Sequence, residues 1–154
     1  MGENNDRLER TLESAFPAVA IDRAMIDEPT SLWDDYERRP DLAAIEGKTW
    51  RDIDAEWLWN NGALLVYAGD ELWRAILPAY LARLLRGFDR VDSMPWHVAR
   101  TLERKPERAR TFDRRIAPFS AAQRSAIRDV LALLSTVDPI AGPMTRAFET
   151  WKTI

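Results

Sequence analysis

Residues 48–85, KTWRDIDAEWLWNNGALLVYAGDELWRAILPAYLARLL, constrain the fold of this chain more than any other stretch. They carry four of its seven tryptophans (Trp50, Trp57, Trp59, Trp73), two tyrosines, and Pro78 inside an apolar run. Indole rings are large and costly to leave in water, so this segment is the expected structural centre. Leu72, Trp73, Ile76, Leu77, Tyr80, Leu81, Leu84 and Leu85 recur four apart, which predicts a helix with a broad apolar stripe. Asp70 is its expected cap and Gly87 its stop. Pro78 has no amide hydrogen to give the Arg74 carbonyl, so a kink is expected there.

Other helix signals surround this centre, and strand signals are scarce. Leu8, Leu12, Ala15 and Phe16 fall at helical spacing, with Asn5 or Asp6 as cap and Pro17 as stop. Ser31 is the expected cap of a short helix through Arg38 or Arg39, and Pro40 opens another over Asp41 to Glu46, stopped by Gly47. Asp52 or Asp54 opens the next. Ala63 to Tyr67 reads as buried strand or helix; with no partner strand in sight, helix is the reading. Ser93 with Pro95 opens a helix to about Lys105, and Pro106 begins a further turn. Ser120-Ala-Ala-Gln123 matches a capping box before Ile127, Val130, Leu131 and Leu134. Asp138-Pro139 and Gly142-Pro143 are expected breaks before a last short helix with Phe148 and Trp151. The expected architecture is all-α: one irregular bundle of about six or seven helices over residues 1–154, with a kinked central helix.

Composition excludes several chemistries. With 46% hydrophobic and 31% charged residues, the 154-residue chain suits one ordinary domain. It has no cysteine, which removes disulfides, thiolate nucleophiles and the usual structural zinc sites. Its single histidine, His97, falls short of the two or three that a catalytic zinc site takes. No metal and no cofactor are expected. No apolar run approaches the ~18 residues a membrane span needs, and the polar opening MGENNDRLER carries no apolar signal core. The cytoplasm is the expected compartment, with no membrane partner.

Three segments together resemble a small bacterial helical domain family of unknown function. They are Trp50-Arg51-Asp52-Ile53, Leu77-Pro78-Ala79-Tyr80-Leu81, and Phe119-Ser120 with Gln123 and Ile127. Their order and spacing look similar over roughly residues 30–135. The resemblance implies a helical fold and a bacterial source, and it transfers no catalytic residue.

Charge is uneven along the chain. The net charge is −3, but residues 1–60 hold 15 acids against 7 bases, and residues 86–115 hold 9 bases against 5 acids. Arg100, Arg104, Lys105, Arg108, Arg110, Arg114 and Arg115 are candidates to grip phosphates; interleaved acids and an overall pI of 5.3 argue against nucleic acid as a partner. Asp34 and Asp35, with Asp41 and Glu46, invite a cation reading, yet no EF-hand or Walker pattern frames them. Asp92, Ser93 and His97 invite a triad reading, yet Ser93 sits where a helix cap is wanted and no nucleophile elbow exists. No catalytic constellation emerges.

Trp57 and Trp59 lie about 200° apart on a helix, so one of them is expected at a rim. The leading expectation is a non-enzymatic protein-binding domain, in its sharper form a bacterial immunity protein that neutralises a toxin domain. Its contact set is Trp33, Asp34, Asp35, Tyr36, Glu37, Trp57 and Trp59, where acids speed encounter and aromatics hold. The alternative is a small-molecule-binding or enzymatic domain with a pocket near Pro78, Tyr80 and His97, walled also by Tyr67 and Trp96. A homodimer held by surplus aromatics is a third expectation.

Overall fold

The structure, a computed structural model, describes residues 2–28, 41–87 and 93–154. Among them lie nine α-helices and no strand: α1 (Glu3–Ala15), α2 (Arg23–Asp27), α3 (Ala55–Asn60), α4 (Leu64–Tyr67), α5 (Asp70–Leu85), α6 (Met94–Leu102), α7 (Ala109–Ile116), α8 (Ala121–Leu134) and α9 (Ala141–Trp151). Single 3-10 turns at Leu42–Ala44, Trp50–Asp52 and Pro106–Arg108 link some of them. The all-α class read from the sequence is the one observed. The helices outnumber the expected six or seven because α2 and α4, five and four residues long, stand as separate pieces.

Helix α5 is the axis of the structure. It buries eleven of its sixteen residues, including Trp73, Ile76, Leu77, Pro78, Tyr80 and Leu81. That is more than the stripe expected of an amphipathic helix; a helix apolar on nearly every side belongs inside, wrapped by others. Helices α1, α2, α3, α6, α7 and α8 all pack on it. The helix runs through Pro78 to Leu85 without a break. Two of its buried polar side chains are satisfied from outside. Trp73 Nε1 donates to Thr101 Oγ1 at 2.7 Å, and the Tyr80 hydroxyl donates to the Asn61 carbonyl at 2.7 Å.

The ends of the helices show which local signals prevailed. Asp54 caps α3 by accepting from the Trp57 amide, and the Ser120–Gln123 capping box on α8 is complete in both directions. Gly47 and Gly87 take left-handed backbone (φ +80° and +87°), as stops require. Other caps differ from expectation. Helix α1 starts at Glu3, ahead of the expected Asn5 or Asp6, and Asn5 instead donates to the Leu85 carbonyl at 2.6 Å, tying α1 to the end of α5. Ser93 precedes α6 but makes no side-chain cap, and α6 ends at Leu102 rather than near Lys105. The expected helix over Asp41–Glu46 is a single 3-10 turn. Gly142-Pro143 does not break the chain; it lies in the first turn of α9, where a missing proline amide costs nothing. The helix expected from Ser31 falls outside the described residues.

The far side of the core is α9 against α8 and α6. Trp151 is fully buried, donates from Nε1 to the Leu102 carbonyl at 2.9 Å, and meets the Phe112 ring edge-on at 6.0 Å. Trp151→Ala is therefore expected to cost about 3–5 kcal/mol in unfolding free energy. Val19→Ala, at a side chain 47% exposed, is expected to change it by less than about 0.5 kcal/mol. Urea denaturation of both variants checks the contrast.

Candidate functional site

Arg115 organises the neighbourhood of the site. Its residue is buried, and its ring-facing guanidinium sits 5.4 Å from the Trp73 ring centroid. Nη2 donates to the Ala68 carbonyl at 2.6 Å; Nη1 reaches the Leu65 carbonyl and Thr101 Oγ1, each at 3.4 Å; Nε donates to Asp70 Oδ1 at 3.2 Å. The Leu65 and Ala68 carbonyls belong to the end of short helix α4, where orphan acceptors need donors. One side chain of α7 thus seals the end of α4 and meets the first residue of α5.

Asp70 was expected to cap α5. It is instead the first residue of the helix, after Gly69 at the cap position, and its carboxylate pairs with Arg114 and Arg115. Burial pushes the Asp70 carboxyl up, but hydrogen bonds and charge from Arg114 and Arg115 together outweigh it and hold the group below the ordinary carboxylate range. Burial pushes Arg115 down from the ordinary guanidinium value, with Asp70 working against it. The start of α5 receives another acid: Glu28 Oε2 accepts from the Glu71 amide at 3.3 Å. Gly69 leaves room for that carboxylate, which a side chain at this position would strike.

Around this cluster opens a cavity of about 750 Å³, within the size range of small-ligand sites. Its walls come from α4 (Val66, Tyr67), the start of α5 (Asp70), α6 (Arg100, Thr101) and α7 (Thr111, Phe112, Arg114, Arg115), with Glu28, Glu103 and Arg108 at its edges. The acids in the wall are already engaged. Asp70 holds Arg114 and Arg115, and Glu103 lies 3.7 Å from both Lys105 and Arg146. Arg104 is likewise spent on Asp113 at 2.8 Å.

Two cations of the wall are left over. Arg108 Nε and Nη2 are out of solvent and have no hydrogen-bond acceptor among the described residues. Burial pushes the Arg108 guanidinium below its ordinary value, and the charge of Arg100 pushes it further, against the weaker pull of Glu107 and Glu103. Neither Arg100 nor Arg108 forms an ion pair among the described residues. Helix α7, which begins just after Arg108, has no acid in its first turn, so the positive end of its dipole adds to the field. A wall with two neighbouring cations outside any ion pair among the described residues attracts an anion.

The described residues hold only two members of the sequence-expected contact set. Trp33, Asp34, Asp35, Tyr36 and Glu37 lie outside the described residues. Trp57 is half-buried, with Nε1 donating to the Asp41 carbonyl at 3.2 Å, and it is the rim tryptophan of the pair. Trp59 is 3% exposed, under the Arg83 guanidinium; it is a core residue with no surface to offer a partner. The residues expected to wall a pocket near Pro78 stand in different environments. Tyr80 is fully buried, Trp96 is 41% exposed, His97 is half-buried, and only Tyr67 lines the large cavity. Pro78 lines a separate groove of about 280 Å³. Of the acids considered for a cation, Glu46 pairs with Arg23 at 2.8 Å, and no cluster of three metal-binding side chains occurs among the described residues. Asp92 lies outside them.

Comparison with protein-family models, curated proteins and solved structures finds no match to this chain. Residues from the Trp50–Ile53, Leu77–Leu81 and Phe119–Ile127 stretches meet in space. Trp50, Pro78, Phe119 and Gln123 all line the smaller groove. Trp50 donates to the Phe16 carbonyl at 3.3 Å, and Phe119 packs edge-on to Phe16 and stacks on Trp73.

Two stability measurements test the electrostatics. Asp70→Asn removes one partner of Arg115, which keeps its carbonyl acceptors, so the expected cost near neutral pH is about 2 kcal/mol, below that of breaking a fully buried pair. The folded carboxyl titrates below its unfolded value of about 3.9. Its contribution is therefore fully present above that value and drains as pH falls through the folded one. The gap between wild type and Asp70→Asn should close under acid; a gap independent of pH would mean the pair is not its source. Arg108→Leu should do the opposite of most core-edge changes. It removes two unpaired donors and a like-charge contact, so the ligand-free protein should gain about 1 kcal/mol, read from the denaturation midpoint.

Proposed function

We propose that this chain is a binding domain for a small organic anion, held in the cavity walled by α4, α5, α6 and α7. The observation that supports the reading is the pair Arg100 and Arg108, two cations at one cavity, the first exposed and the second half-buried, neither in an ion pair among the described residues. Proteins keep unpaired, partly buried charge where a ligand completes it, because the ligand-free state is otherwise destabilised. Apolar and aromatic surface from Val66, Tyr67 and Phe112 supplies the contact area that a charged rim alone lacks. Thermal unfolding in low salt, with a panel of aromatic and aliphatic anions, tests it. A ligand of this site at a hundred times its dissociation constant should stabilise the protein by about 2.7 kcal/mol. That stabilisation should vanish in Arg108→Leu, whose ligand-free form remains folded; a panel with no saturable shift would overturn the reading.

A second reading keeps the protein partner. Asp41, Asp52, Asp54 and Glu56 are all exposed around the half-buried Trp57, which makes an acidic surface with an aromatic at its rim. Such a face suits a basic protein, and its sharpest form is a bacterial immunity protein that holds a toxin domain in the cytoplasm. Asp34 and Asp35 would extend the same acidic character along the chain. Pull-down with the product of the neighbouring gene tests this. Charge reversal at Asp34 and Asp35 should weaken the complex and make it less sensitive to salt, and an unchanged complex would remove this surface from consideration.

A further inference from the structure

We propose that the anion is a phosphate monoester: Arg100 and Arg108 take its phosphoryl group, and the walls from α4 and α7 take its organic body. This rests on the reading of the cavity as an anion site and narrows it to one chemical class.

The charge balance comes first. Four arginines line the cavity, but Arg114 and Arg115 are committed to Asp70. Glu103 is committed to Lys105 and Arg146, and Glu28 to the amide at the start of α5. Arg100 and Arg108 are the two arginines of the lining left outside any ion pair among the described residues, with Glu107 and Glu103 pulling on Arg108 only through their charge. The two arginines lie near enough that the charge of one disfavours the charge of the other. A monocarboxylate brings one negative charge, whereas a phosphate monoester above pH ~6 brings nearly two on one compact group.

Donor geometry points the same way. The unpaired atoms of Arg108 are Nε and Nη2, the edge of the guanidinium whose two N–H bonds run parallel. That edge matches two oxygens of one acceptor group. A carboxylate uses both its oxygens there, and a second cation must share one of them, as Arg114 and Arg115 share Oδ1 of Asp70. A monoester has three terminal oxygens, and the third is free for Arg100. Because the two donors are out of solvent in the ligand-free protein, the side chain must turn about its last torsions to present them. Leaving them unpaired is costly, so the turn is favoured once an acceptor arrives.

Size supplies the organic part. One phosphate group fills a small fraction of about 750 Å³. The remaining wall includes Val66, Tyr67 and Phe112, suited to a flat or apolar body. A nucleic-acid strand is a poorer fit, since the exposed basic residues Arg104 and Arg114 that would track its backbone are already paired with Asp113 and Asp70.

Isothermal titration of the full chain at pH 7.5 and low salt, with phenyl phosphate, inorganic phosphate, benzoate and succinate, tests the class. Phenyl phosphate should bind one to one, and benzoate and succinate at least ~10-fold more weakly, since each loses a charge-assisted hydrogen bond or spreads its charge over two groups. Inorganic phosphate should fall between them. Arg100→Gln and Arg108→Gln should each weaken phenyl phosphate ~10-fold or more, with thermal unfolding confirming that both variants fold. Arg110→Gln, an exposed change outside the cavity wall, should leave affinity as it is. Affinity should also fall as pH drops through ~6 and the monoester takes up its second proton. Binding of benzoate or succinate that depends on Arg108, without binding of phenyl phosphate, would overturn the phosphate class and leave the anion site standing. Silence from all four ligands would overturn both. Phenyl phosphate binding that ignores Arg100 and Arg108 would overturn the placement.

Discussion

The guanidinium of Arg115 is the contact on which the arrangement of four helices depends. It leaves α7, lies against the Trp73 ring of α5, satisfies the carbonyls of Leu65 and Ala68 at the end of α4, and touches Thr101 of α6. A buried cation is tolerated only when its donors are occupied, and here Asp70 supplies the compensating charge. Helix α4 has four residues and cannot hold its own backbone together in isolation. Its carbonyls are finished by a side chain about fifty residues away. The short helix exists because Arg115 is there, and the cavity exists because the short helix turns the chain into the start of α5.

That arrangement separates two sets of arginines that are neighbours in sequence. Arg114 and Arg115 are structural, used up by Asp70 and by carbonyls. Arg100 and Arg108 are not used up by anything the described residues provide. The difference is one of accounting at the level of individual donors: a cation with acceptors holds the fold, and a cation without them raises its energy. The same wall therefore contains both a source of stability and a standing electrostatic tension, and the tension is localised at the cavity.

Local signals were legible in the sequence where the physics is local. The Ser120–Gln123 box, the Asp54 cap, the glycine stops and the helical nature of Leu64–Tyr67 each depend on residues within one turn. Asp70 shows the limit. By local preference it is a cap, but its carboxylate finds Arg114 and Arg115 across the fold, and the cap position goes to Gly69. Trp59 shows a second limit: spacing says that Trp57 and Trp59 face apart but not which one faces in. The basic run was visible as a candidate for phosphates, while its division into paired and unpaired members depends on Asp113, Asp70 and Glu103, whose partners only the fold assigns. Arg108 could not be singled out from composition, because its distinction is two buried donors that meet no acceptor among the described residues.

Helix α1 has its seat between two elements that are far apart in the chain. Leu8 and Leu12 pack where α1 meets α5 and α8, and α8 begins only at Ala121. During synthesis the ribosome must add about a hundred residues after α1 before that groove is complete. At ~5–20 residues per second the interval is on the order of ten seconds. Through that time two leucines and Phe16 stay partly uncovered on a nascent helix, so this stretch is made long before its seat exists and is a place where a chaperone's cover matters.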